Sequence, residues 1–99
     1  MEQSILQEAN DRIKRLELYF DILQKAFAHD PAAIRNYASY KELLRILIRY
    51  YEGGQWLRDY ELDEKGLLPP SLKRGVLAQD ALYDFLDRLS AYATDNGSF

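Results

Sequence analysis

The apolar residues Leu6, Ala9, Ile13, Leu16, Phe20, Leu23 and Phe27 follow one another in alternating steps of three and four, and nothing else in the chain constrains its fold as strongly. Side chains at that spacing share one face of an α-helix, in the manner of a heptad seam. Between them Gln7, Glu8, Asp11, Arg12, Lys14, Arg15, Glu17 and Asp21 read as a solvated face carrying both signs of charge. The pattern predicts a helix over 3–28, roughly 38 Å long at about 1.5 Å per residue. Leu18, Tyr19, Ile22 and Ala26 add apolar surface to its second half. That half is expected to touch two neighbours, while the first half touches one or projects.

His29-Asp30-Pro31 marks a boundary. Asp30 can accept hydrogen bonds from the free amides that begin a new helix, and Pro31 suits the first helical position, where no amide is needed. The second helix is predicted over 31–52. Tyr37, Tyr40, Leu44, Leu47 and Tyr51 form its stripe, widened by Ile34, Leu43, Ile48 and Tyr50. Gly53-Gly54 stops it, because glycine accepts the left-handed conformation that comes after a helix. So short a link between the two helices predicts an antiparallel hairpin.

The segment 53–77 reads as irregular, with Trp56, the acidic residues Asp59, Glu61, Asp63 and Glu64, a turn at Lys65-Gly66, and Pro69-Pro70. A single helical turn is expected around Trp56 to Tyr60. A third helix is predicted over 79–93, with Leu82, Phe85, Leu86, Leu89 and Tyr92 facing inward and Asp80 at its dipole-favoured start. The tail 94–99 is expected to fray. The fold expected is therefore one all-α domain over 1–99: a long antiparallel hairpin with a shorter third helix, three-helix-bundle-like, and an irregular segment between helices two and three.

Composition narrows the functional classes. The 99 residues contain no cysteine, which removes disulfides, thiolate metal sites and cysteine nucleophiles. No apolar run approaches the length of a membrane span, and the polar start does not resemble a secretory signal, so a cytoplasmic globular protein is expected. The net charge of −3 disfavours general attraction to nucleic acid or anionic lipid.

The succession Tyr50-Tyr51-Glu52-Gly53-Gly54-Gln55-Trp56-Leu57-Arg58-Asp59 is followed by Asp63-Glu64-Lys65-Gly66, then Leu68-Pro69, then Leu72-Lys73-Arg74-Gly75-Val76-Leu77-Ala78-Gln79-Asp80, with Tyr83 one turn on. This order of elements resembles an uncharacterised family of short bacterial helical proteins, domain of unknown function 4298. The resemblance runs from about Arg12 to Leu89. In that family the last element usually reads Gly-Val-Leu-Ser-Glu-Asp; Ala78 and Gln79 replace the serine and glutamate here, so the serine cap expected for helix three is lost. The resemblance implies a bacterial helical protein and supplies no reaction, cofactor or partner.

The candidate interaction or structural cluster is Tyr51, Trp56, Asp59, Tyr60, Lys73, Arg74 and Asp80. The aromatic residues at the end of helix two either anchor a partner or hold the irregular segment on the hairpin, and the second reading carries more weight because a long loop needs apolar anchors. The spacing Asp59, Glu61, Asp63 imitates the opening of a calcium loop, but Glu64 stands where glycine is required and Pro70 where the bidentate glutamate belongs. A solvated acidic loop is expected instead. Lys73-Arg74-Gly75 either meets a phosphate or acidic partner or pairs with that loop or with Asp80, and Gly75 supplies a backbone conformation or a close approach. Lys41, Arg45 and Arg49 align on helix two, as Asp80, Asp84 and Asp87 do on helix three, and such stripes can bridge helices or match between subunits. His29 is the only histidine, and no serine lies in a nucleophile motif.

These features favour a non-enzymatic interaction or oligomerisation module without metal or cofactor. Its expected partner is a second copy of the chain, as a homodimer, or another bacterial protein. The alternatives are a small-ligand or phosphate-binding module built on Trp56, Tyr60, Lys73 and Arg74, and weak nucleic-acid binding through Lys41, Arg45, Arg49 and Lys73.

Overall fold

In a computed structural model the structure describes residues 2–78 and 80–96. The described chain is all-α. It comprises α1 (Glu2–His29), α2 (Ala32–Asn36), α3 (Ala38–Glu52), α4 (Gln55–Glu64), a 3-10 turn (Gly75–Leu77) and α5 (Ala81–Asn96). Five α-helices among the described residues thus replace the three expected from the pattern. None of them is long and apolar enough to cross a membrane.

The 28 residues of α1 set the long dimension, since about 42 Å of helix accounts for most of the 45 Å extent. Its stripe behaves as the spacing requires. Ala9, Ile13, Leu16, Phe20 and Leu23 are buried, and Leu6 and Phe27 pack against the core from its edges. Burial of that kind stabilises by about 1.5–3 kcal/mol for each large aliphatic or aromatic side chain. The first half of α1 does not project: Ala9 and Ile13 are both 0% exposed. Nor is the intervening face wholly solvated, because Arg12 and Glu17 turn inward to bond partners beyond residue 55.

The expected second helix is broken. Asp30 accepts from the Ala32 amide at 3.1 Å, as its position requires, and α2 begins there. Tyr37 then adopts an extended conformation, φ −115° and ψ 122°, before α3 starts. Helical phase explains the break. At about 100° per residue, Ile34 and Leu47 would lie roughly 140° apart around an unbroken helix. Both are fully buried in one core, so the phase must be reset between them. After the reset Leu44, Leu47 and Tyr50 form the buried stripe of α3. Tyr37 is left 59% exposed and Tyr51 moves to the edge of the core, against the expected stripe.

The segment expected to be irregular contains a real helix. Gly53 ends α3, and Gly54, at φ 89°, takes the left-handed conformation that turns the chain directly into α4. Leu68, Leu72, Val76 and Leu77 then return to the core as anchors of the non-helical stretch. The backbone closes the start of α5, with the Ala81 amide donating to the Ala78 carbonyl at 3.1 Å. Gln79, expected to begin this helix, lies outside the described residues, as does 97–99 of the tail. Residues 94–96 belong to α5. Upstream of them α5 is held to α1 by edge-to-face rings: Phe20 on Phe85, Phe27 on Phe85 and Phe27 on Tyr92, with centroids 5.5, 6.0 and 5.9 Å apart.

Candidate functional site

The acidic run of α4 is not a solvated loop. Helical phase turns Asp59 inward, one turn from Trp56 and one from Leu62, and its carboxylate is fully buried. Arg12 of α1 grips it with two hydrogen bonds, Nε to Oδ2 at 2.9 Å and Nη2 to Oδ1 at 2.6 Å. The Tyr50 hydroxyl donates to Oδ2 at 2.7 Å, and the Gln55 amide approaches Oδ1 at 3.4 Å. One carboxylate therefore ties α1, α3 and α4 together. The bond to Asp59 raises the Arg12 pKa, against the lowering effect of burial. Burial pushes the Tyr50 phenol far above its ordinary value, and the bond to Asp59 adds to that rise. This cluster was hidden in the sequence because a buried carboxylate breaks the apolar pattern that reveals a helix. A signal did exist, since Arg12 shares the inward face of α1 with Ala9 and Leu16.

Beside this lock lies an aromatic row. Trp56 stacks on Tyr60 with centroids 5.2 Å apart and planes at 17°. Its other neighbour is Tyr51, at 5.4 Å, and Tyr51 in turn meets Tyr83 of α5 at 6.5 Å. The indole N–H donates to the Val76 carbonyl at 2.9 Å, which fixes the ring against the 3-10 turn. Tyr51, Trp56 and Tyr60 are half-buried and Tyr83 is 53% exposed. The row thus secures α4 and leaves ring surface open to solvent. The Glu64 carboxylate, one turn further along α4, raises the Tyr60 pKa, with burial and the charges of Asp63 and Asp80 adding to the effect. Asp80 itself is exposed.

The basic pair divides. Arg74 bonds Asp63 at 3.0 Å and reaches the Pro69 carbonyl at 2.9 Å, so it closes its own loop on α4. Lys73 is exposed and faces α1, where it lines an open groove of about 600 Å³ with Asn10, Lys14 and Leu18. The structure therefore does not bring Lys73 together with Trp56 and Tyr60. In the same groove Asn10 Oδ1 is buried with no hydrogen-bond partner among the described residues. Glu17, which also lines it, accepts from the Val76 amide at 2.6 Å. A Cβ on Gly75 would stand 2.7 Å from Glu17 Oε1, so close approach is what this glycine supplies. The basic stripe of α3 makes no bridge to α5 through Arg45, which pairs with Glu42 on its own helix at 2.6 Å. Among the described residues no cluster of histidine, aspartate and glutamate has the arrangement of a metal site.

Fold and site together define an all-α protein in which a buried ionic lock carries an open aromatic row. Residues 13–96 match the model of the family described as Domain of unknown function (DUF4298), and the chain belongs to that family. No curated protein and no solved structure matches the chain.

Proposed function

We propose that this protein is a non-enzymatic interaction module that engages another protein through the aromatic row at the junction of α3, α4 and α5. The observation that carries the reading is Tyr83, a residue 53% exposed that continues a row anchored by Trp56. Tyrosine and tryptophan supply large contact area at low entropic cost, and here the base beneath them is rigidified by the Asp59 bonds. The α1 stripe is covered within the chain, so the proposed contact is placed on the aromatic row instead. Replacing Tyr83 with serine tests the reading. The variant should keep its helical circular dichroism and most of its stability, since a single ring contact is worth about 0.5–1.5 kcal/mol. Affinity capture from an extract of the source cells should then retain a partner with the parent protein and lose it with Tyr83→Ser. Identical retention by both proteins would overturn the proposal.

A further inference from the structure

We infer that the partner of this face is basic: an arginine- or lysine-bearing segment of another protein that lays its cations across the rings. The inference rests on the aromatic row being an interaction surface and adds the chemistry of what docks there. Asp80, Tyr83, Asp84 and Asp87 are spaced by steps of three and four, so they share one face of the α5 region, and all are exposed. None of these aspartates has an ion-pair partner among the described residues. Glu64, exposed and one turn beyond Tyr60, adds a carboxylate from the α4 side.

Two arginines close to this face in the chain are already engaged elsewhere. Arg74 is held by Asp63 and the Pro69 carbonyl. Arg88, one turn beyond Asp84, lies over the Phe27 ring at 5.4 Å from its centroid. The surface is left with electron-rich ring faces bordered by unpaired carboxylates. Both attract the same thing: a guanidinium or ammonium group stacks on the ring and pairs with the adjacent carboxylate. An acidic segment would be repelled, and a purely apolar one would leave the carboxylates uncompensated.

Trp56 is the only tryptophan, so its fluorescence reports on this face directly. The protein is titrated with peptides of equal length built from arginine and serine, glutamate and serine, or leucine and serine. A saturable change in Trp56 emission is expected with the arginine peptide alone. Affinity should fall roughly tenfold when Asp80→Asn, Asp84→Asn and Asp87→Asn are combined, and should weaken steeply with added salt. Unchanged affinity in that triple variant, or equal binding of the glutamate peptide, would overturn the inference. Binding of the leucine peptide alone overturns the basic partner yet leaves the interaction surface standing. No response to any peptide, together with capture that ignores Tyr83, removes both. Light scattering of the protein alone covers the remaining occupant, because a dimer abolished by the same triple variant would assign the face to a second copy.

Discussion

A carboxylate taken out of water needs its charge matched and its lone pairs filled, and Asp59 has both met by Arg12, Tyr50 and Gln55. Removing one member of such a group costs more than the group contributes, because the others stay behind unpaired. Asp59→Ala should therefore lower stability by about 2–4 kcal/mol, below the full cost of a dry pair because Arg12 keeps some access to solvent. Urea unfolding checks this; a loss under about 1 kcal/mol would mean that Arg12 relaxes freely into water. Tyr50 makes the lock sensitive to alkali. Its pKa is raised above the ordinary 10.0, so above that pH the unfolded chain releases a proton that the folded chain retains. Stability contributed by the neutral phenol is complete below about pH 10 and declines as pH rises further. Tyr50→Phe should start from a lower urea midpoint at neutral pH and show a shallower alkaline decline between about pH 9 and pH 11. Parallel declines in both proteins would remove the assignment to Tyr50.

Among the elements, α1 was the one most open to reading, because its apolar stripe is long and uninterrupted. The break at Tyr37 was not, since no proline or glycine marks it and its cause is the phase mismatch between Ile34 and Leu47 in a shared core. Helix α4 was underestimated for the opposite reason: Asp59 and Asp63 occupy positions where an apolar residue would have displayed the period. The connection from α4 to α5 depends on a contact across the fold, where Glu17 of α1 holds the Val76 amide beside Gly75. Gly75→Ala should push the Glu17 carboxylate off that amide and cost about 1–2 kcal/mol, the worth of a charge-assisted hydrogen bond. In a Glu17→Ala background the same change should be nearly neutral. A double-mutant cycle on unfolding free energies measures the difference, and simple additivity would show that the two residues are uncoupled.

For the molecule as a whole, α1 is the mast along which the other elements are arranged, in an envelope of 45 × 22 × 21 Å. Local rules in the sequence determined that the chain is helical, where α1 ends, that Asp30 caps the start of α2, and that Gly53-Gly54 stops α3. Each of these depends on residues within a turn or two of one another, so the chemistry is complete before any distant contact forms. Membership of the family was also legible, because rare elements recur there in order. The tertiary structure alone decided which polar residues go inside. Arg12 and Glu17 look like members of a solvated face until Asp59, 47 residues from Arg12, and Val76, 59 residues from Glu17, are brought to them. It also decided that Lys73 parts from Trp56, and that Tyr83 remains open beside aspartates with no ion-pair partner among the described residues. Long-range ion pairs and residual exposure depend on what folding places opposite a side chain, and spacing along the chain carries no such information.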